Sequence, residues 1–383
     1  MRIAMIGQKG VDIGERGGGV ETHVAELSKH LAALGNEVVV YARRKYAGGD
    51  KRRKGDRKDN GVGVRFIPTI YTKNLEAIVH TFLCSVDALF RPYDIVHYHG
   101  VGPATLSWIP RLFKPRARVI ATFHSQDRYH QKWGLFAKLY LWFGEFAICW
   151  FPHATISVSH TIQRFSRRAI HRQAIYIPNG ADVHEVTSAD TLPPFGLRPR
   201  GYILCVSRLV PHKRQDLLIE AWQTLQAGSH GQSIEKMKLV FVGGTTYTTD
   251  YEQSLKASAA GNPDILFLGY QTGDALKQLF AHAALFVQPS DSEGLPVAVL
   301  EAMSYGAPVL VSDIPENIEA IHDAGFSFKR ADAQHLAQRL GELLVHPEVL
   351  DAARERGRVV IRREFSWSMI AKKTEEVYRS FRH

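Results

Sequence analysis

The chain alternates, almost from end to end, between short runs rich in β-branched residues and longer segments with helical spacing of apolar side chains. "RIAMIG" reads as a strand ended by glycine. The next segment, "ETHVAELSKHLAALG", sets Val24, Leu27, Leu31 and Leu34 at helical spacing, and Gly35 stops it. "EVVVYA", "VRFIPTI", "DIVHYHG", "RVIATFHS", "ATISVS" and "AIYIPNG" continue the series as strands. Strands that alternate with helices predict a parallel sheet wound by right-handed crossovers. The Pro-rich stretch "HEVTSADTLPPFGLRPR", residues 184–200, has little periodicity and reads as a linker. A second series follows it: "YILCVSR", "KLVFVGG", "ILFLGY", "ALFVQPS" and "PVLVSD". The chain closes on "FSWSMIAKKTEEVYRSF", where Phe365, Trp367, Ile370, Val377 and Phe381 have the pattern of an amphipathic terminal helix.

A chain of 383 residues exceeds a typical single core. The expected fold is therefore α/β, two doubly wound domains with a cleft between them. Ligands of such sheets sit beyond the carboxyl ends of the strands, so residues at those ends matter most. No run of about 18 apolar residues offers a membrane-spanning helix. The nearest approach, "WGLFAKLYLWFGEFAICWF", is interrupted by Lys138 and Glu145, and its default reading is core. The start, "MRIAMIGQKG", is too short in its apolar part for a secretory signal. Cys84, Cys149 and Cys205 lie among apolar neighbours without metal spacing, as reduced core residues of a cytoplasmic protein would.

Lys and Arg outnumber Asp and Glu by 48 to 38, a net charge of +10 that favours anionic partners. Part of the excess is local. Residues 43–59, "RRKYAGGDKRRKGDRKD", read as a solvated loop, with a basic finger for lipid head groups or an anionic substrate as the functional alternative.

Four stretches carry chemistry. In "GERGGGVETH" the glycines Gly17, Gly18 and Gly19 lead into a helix expected from about Val20, where backbone can approach an anion. A flexible turn is an equally fair reading. The loop from Gly7 to Gly19 is too long for the dinucleotide fingerprint G-x-G-x-x-G, which argues against a nicotinamide enzyme. In "VSRLVPHKRQDLLIEA", Arg208 ends a strand and Lys213 follows on the loop before a helix expected near Asp216. Two cations there suit a diphosphate, each charge-assisted bond contributing roughly 1.5–3 kcal/mol. In "DSEGLPVAVLEAM", Pro296 suits the first position of a helix, which places Glu293 on the preceding loop and Glu301 inside the helix. Eight residues at about 100° each put the two glutamates about 80° apart, so both can line one rim. Carboxylates accept from vicinal sugar hydroxyls, and the amides of Gly294 and Leu295 face an oxyanion at a helix start. Finally, His124 follows the strand "RVIATF", where a structural histidine is the default, while His97 and His99 alternate in "HYHG", where the alternative of a two-histidine metal site lacks a carboxylate partner nearby. No Asp-x-Asp supplies carboxylates for a diphosphate-bound cation, so the site is expected to work without metal.

"GGGVET", "TFHSQD", "IPNGAD", "SRLVPHK", "SEGLPVAVLEAMSYGAPVLVSD" and the terminal "FSWSMI…VYRSF" resemble, in order and over essentially the whole chain, the retaining glycosyltransferases of family four, with GT-B architecture. The resemblance implies two Rossmann-like domains facing a central cleft: an acceptor-side domain at 1–185, a nucleotide-sugar domain at 186–364, and a terminal helix at 365–383 packed back on the first. It implies that Arg208 and Lys213 neutralise the donor diphosphate and that Glu301 holds the ribose. Glu293, with the backbone of Gly294, Leu295 and Pro296, would grip the sugar. Gly18 and Gly19 would admit the β-phosphate, and His124 would contact the sugar or assist transfer. The donor would be a nucleotide-diphosphate sugar and the acceptor a sugar or lipid-linked sugar, in bacterial polysaccharide or glycolipid assembly. No cofactor, metal or nucleic acid is implied, and the setting would be cytoplasmic, with peripheral contact at an anionic inner membrane face. Two departures are Ser207, where glycine often precedes the arginine, and "VGGTTYTTDYEQ", which lacks the usual Gly-x-Gly. A nucleotide-sugar epimerase of similar fold and a non-catalytic basic protein binding membrane or nucleic acid are the rival readings.

Overall fold

Strands buried on both faces, such as Ile3–Ile6 and Ile95–His99, need helices above and below them, and the alternation along the chain supplies these. The computed structural model describes residues 1–11, 17–46, 57–59, 61–72, 75–126, 128, 135–228, 235–245 and 248–381. Residues 1–179 with 367–383 form one unit, and residues 180–366 form another.

The first unit is built on strands β1 (Arg2–Ile6), β2 (Glu37–Arg43), β3 (Arg57–Asp59), β4 (Val62–Ile67), β5 (Ile95–His99), β6 (Arg118–Phe123), β7 (Ala154–Ser157) and β8 (Ile175–Tyr176). Their order is β3-β4-β2-β1-β5-β6-β7-β8, parallel throughout except that β3 runs antiparallel to β4. Helices α1 (Gly19–Ala33), α2 (Glu76–Leu89), α3 (Val101–Ala104), α4 (Trp108–Phe113), α5 (Leu135–Trp150) and α6 (His160–Ala169) connect them. Ser159 caps α6 by accepting from the Ile162 amide.

In the second unit β9 (Tyr202–Val206), β10 (Lys238–Val242), β11 (Ile265–Phe267), β12 (Leu285–Gln288), β13 (Val309–Ser312) and β14 (Phe326–Phe328) are all parallel, in the order β11-β10-β9-β12-β13-β14. That is the dinucleotide-type doubly wound order, which reverses between β9 and β12. Its helices are α7 (Gln215–Ala227), α8 (Thr249–Ser258), α9 (Gly273–Ala281), α10 (Val297–Ser304), α11 (Pro315–Ile321), α12 (Ala333–Leu344) and α13 (Pro347–Val360). A π-helical turn, Ile361–Phe365, follows α13, and α14 (Trp367–Ser380) then rejoins the first unit. Trp367, Ile370 and Tyr378 share one buried cluster with Val24, Leu27 and Leu31 of α1, and Asn36 donates to Glu375 at 2.8 Å.

Several expectations need correction. The terminal helix starts at Trp367, and Phe365 belongs to the π-helical turn before it. β14 was absent from the expected strands because three residues are too few to show a period. "AIYIPNG" keeps only Ile175–Tyr176 as strand. Arg43, assigned to a solvated basic loop, is the last residue of β2 and is buried. Residues 57–59 of that loop form β3, and residues 47–56 lie outside the described residues. The aromatic run before Trp150 is not wholly core: Trp142, Phe143 and Phe146 are exposed, while its residues 133–134 lie outside the described residues. All three cysteines are buried and free. Among the described residues no helix is long and apolar enough to cross a membrane.

Arg43 donates to Glu76 at 3.1 Å, with both side chains under 10% exposed. A charge at this depth is tolerable only beside its partner. Arg43→Leu should therefore destabilise the first unit by about 3–5 kcal/mol, and adding Glu76→Leu should recover much of that loss. Urea midpoints of both single variants and of the double variant check this; a double-variant loss equal to the sum of the two single losses would mean the pair is not coupled.

Candidate functional site

The reversal of strand order in the second unit brings the carboxyl ends of β9 and β12 side by side. Beyond β9 come Ser207, the exposed Arg208 and a tight helical turn, Pro211–Lys213. Gln215, buried at the start of α7, donates to the Arg208 carbonyl at 2.9 Å and to Ser207 Oγ at 2.7 Å. Ser207, the departure from the family pattern, is thus a hydrogen-bond acceptor that ties strand to helix. Gly243, at the end of β10 with φ +126°, packs against the Ser207 carbonyl, where any Cβ would collide. Gly244 packs on the Tyr270 ring, where a Cβ would stand 2.5 Å from the nearest ring carbon. Of the neighbouring "TTYTT", residues 246–247 lie outside the described residues.

Beyond β12, the Asp291 amide donates to the His212 carbonyl at 2.9 Å, which ties the two loops together by their backbones. Lys213 Nζ then reaches Glu293 Oε1 at 2.6 Å, with 16% and 9% of the two side chains exposed. Gln288 Nε2 donates to the same oxygen at 2.6 Å and to Ser290 Oγ at 2.8 Å. Burial is the largest influence on the Glu293 carboxyl and raises its pKa. The charge and hydrogen bond of Lys213, with bonds from Ser290 and Gln288, outweigh it and hold the group below the usual carboxylate range. Gly294, Leu295 and Pro296, which follow Glu293 along the chain, are buried. Pro296 has ψ 102° and caps α10; it is not the first helical residue, because its extended backbone turns the loop into the helix. Glu301 sits inside α10 and is half-buried, less enclosed than its apolar surroundings suggested.

In the first unit Gly18 is extended (φ −151°, ψ −178°) at the N-cap of α1, and Gly19 is the exposed first helical residue. The carboxylate of Glu21, in the first turn, accepts from the Lys9 amide at 3.3 Å. Residues 12–16 of the loop lie outside the described residues. Gly7 ends β1 with φ +124°, where a Cβ would stand 2.5 Å from the His99 carbonyl, so this glycine lets β1 and β5 end in close contact.

His124 follows β6 and is buried, its Nε2 at 3.1 Å from His99 Nδ1. It belongs to a larger group. His23 Nδ1 lies 2.9 Å from Asn179 Oδ1, an acceptor, so His23 carries its proton there. Its Nε2 is left as a buried lone pair without a hydrogen-bond partner. His97 bridges Tyr378 Oη at 2.6 Å and Thr122 Oγ1 at 2.7 Å. Burial lowers His23 to about 4 against the opposing Asn179 bond, and lowers His97 to about 3 with help from His23. His99 and His124 are pushed well below 6.5, by burial first and neighbouring imidazoles second. Nitrogens of His23, His99 and His124 lie within 4.8 Å of one another, a donor set that suits a borderline transition ion as well as a network of neutral imidazoles.

The expected site residues thus fall into two groups. Lys213 and Glu293 touch, and Arg208, Gly294, Leu295, Pro296 and Glu301 share their unit. Gly18, Gly19 and His124 belong to the other. Gln288, Ser290, His23, Asn179 and Tyr378 escaped the sequence reading. Gln288 left one trace there, as a polar residue inside the apolar strand "ALFVQPS".

Residues 17–185 match the family model described as Glycosyltransferase Family 4, and residues 196–360 match Glycosyl transferases group 1. A phosphatidyl-myo-inositol mannosyltransferase of Mycobacterium leprae is 26% identical over 396 residues, covering 99% of this chain and 96% of that protein. A GDP-mannose-dependent monoacylated alpha-(1-6)-phosphatidylinositol monomannoside mannosyltransferase of Corynebacterium glutamicum is 29% identical over 239 residues, or 58% of this chain and 60% of its own length. The sucrose-phosphate synthase of Thermosynechococcus elongatus superposes with a TM-score of 0.80 at 21% identity, covering 99% of this chain and 98% of that one, a likeness of fold. With both halves matched and the GT-B fold in place, the chain belongs to the group 1, family-four glycosyltransferases.

Proposed function

We propose that this glycosyltransferase moves a hexosyl group from a nucleotide-diphosphate sugar to a hydroxyl of a sugar or lipid-linked sugar, with retention and without a metal or other cofactor. The setting is polysaccharide or glycolipid assembly at the cytoplasmic face of a membrane, with peripheral contact to anionic lipid. One observation carries the reading: at the strand-order reversal of the second unit, a lysine and a largely enclosed glutamate held below the usual carboxylate range lie 2.6 Å apart, the lysine on the loop that the exposed Arg208 opens. A cation for phosphate and a carboxylate for sugar hydroxyls are the two recognition elements a nucleotide sugar requires. The relatives' mannosyl chemistry puts GDP-mannose first among donors to try.

In this reading Arg208 and Lys213 stabilise the charge that grows on the leaving diphosphate. Glu293 orients the donor sugar, and Glu301 accepts from the ribose. The bond from the anomeric carbon to phosphate breaks as the acceptor oxygen bonds to the same face of that carbon. The departing phosphate oxygen takes the acceptor proton, so no separate general base is needed. Gly18 and Gly19 keep the start of α1 open to the β-phosphate, and neutral His124 contacts the sugar as a hydrogen-bonding group.

Calorimetric titration in the presence of chelator, with UDP, GDP, ADP and their hexose conjugates, tests the donor. One diphosphate and its sugar should bind; failure of every nucleotide to bind would overturn the reading. Lys213→Ala, with its fold checked by circular dichroism, should lower turnover on the order of 10²–10³. Near-normal turnover removes Lys213 from the site. Chelation should leave turnover unchanged, whereas a loss restored by zinc would overturn metal independence.

The histidine group makes a separate statement about pH. Its imidazoles have folded pKa values below 6.5, so between about 4 and 6.5 the unfolded chain binds more protons than the folded one. Stability is complete above 6.5 and falls as the pH drops through that window, by up to about 1.4 kcal/mol per pH unit for each imidazole. Urea midpoints measured from pH 7.5 to 5 should fall accordingly. A flat profile would mean that the imidazoles take up protons freely in the folded state.

A further inference from the structure

Helix α5 has a buried face and an exposed face, and the exposed one is apolar. Leu139, Trp142, Phe143, Phe146 and Trp150 are each 41–57% exposed and follow helical spacing. At about 100° per residue they span an arc of only about 100°. Leu141, Glu145, Ala147 and Ile148 fill the other side, where Glu145 pairs with Arg128 at 3.2 Å. The contrast is an amphipathic helix whose apolar stripe is left largely open among the described residues, the kind of surface that marks an interaction site.

The C-terminal end of this stripe adjoins a basic surface. Arg164, Arg167 and Arg168 of α6 and the following Arg172 are all exposed, at positions i, i+3, i+4 and i+8. No acidic residue occurs from 151 to 181. Among the described residues none of these four arginines forms an ion pair. The Arg172 guanidinium lies 3.6 Å from the centroid of the Trp150 ring, and Trp150 stacks on Phe146 at 5.3 Å. Lys138, also exposed, stands beside Leu139 near the other end of the stripe.

We infer that this face of α5, with the arginines of α6, docks the protein on an anionic lipid bilayer. The inference names the surface for the membrane contact proposed above and rests on that reading. Tryptophan and phenylalanine partition into the head-group zone, and unpaired arginines meet lipid phosphates. A second copy fits less well, because isologous pairing of this face would bring its unpaired arginines near one another.

Flotation of the full chain with vesicles tests the surface. The chain should float with phosphatidylcholine vesicles containing phosphatidylglycerol and at least tenfold less with phosphatidylcholine alone. Trp142→Ser with Phe146→Ser should lower partitioning at least tenfold. Arg164→Gln with Arg167→Gln and Arg168→Gln should lower it by about fivefold per residue and flatten its salt dependence. Both variants should keep the wild-type urea midpoint and nucleotide affinity, since the changed side chains are exposed. If the wild-type chain does not float, the surface and the peripheral reading both fail. If it floats and both variants float equally well, only this surface is overturned. A dimer in light scattering that the aromatic variant dissolves would overturn it in favour of a self-interface.

Discussion

A buried carboxylate stays ionised only if something offsets its lost hydration, and in the second unit Lys213 does so for Glu293. Much of the surrounding structure serves that contact. The strand order puts β9 beside β12, the Asp291–His212 backbone bond joins the two loops, and Gln288 supplies a second donor to the same oxygen. Gly243 and Gln215 hold the end of β9 from either side, so Arg208 leaves the sheet at a fixed point while its side chain remains in solvent. The result is a preorganised pair whose lysine shares its loop with an exposed cation, an arrangement suited to a ligand that carries both negative charge and hydroxyl groups.

The first unit solves its polar problem without charge. Four histidines are buried at or near the ends of β5, β6 and the start of α1, and burial keeps them neutral. Their hydrogen bonds reach distant parts of the chain: Asn179 fixes the tautomer of His23, and Tyr378 of α14 binds His97. The terminal helix is therefore part of the polar core beneath this sheet's carboxyl end, besides completing the apolar cluster around α1.

Helix α5 shows how one segment can serve two environments. Its sequence is apolar nearly all round, yet the fold buries only one side, where Glu145 is paired, and leaves tryptophan and phenylalanine outside. The Arg172–Trp150 stack then joins the aromatic stripe to the basic side of α6.

The two α/β series, the glycine-led helix at Gly19 and the cations after β9 were legible along the chain because helix and strand periods, turns and local motifs are short-range signals. The glutamates of "SEGLPVAVLE" stood out for the same reason, and the family motifs confirmed the plan. What periodicity could not carry were contacts between residues far apart in sequence. Arg43 sits in a run of charges but pairs with Glu76, and His23 lies in an ordinary helix but meets Asn179. β14 was too short to show a pattern, and nothing local tells which side of α5 is covered. By itself, then, the sequence determined two doubly wound units and the residue types at their strand ends, since these follow from local geometry. Only the tertiary structure decided which charges are paired, which histidines are forced neutral and which aromatics face outward, because burial is a property of what the rest of the chain packs against.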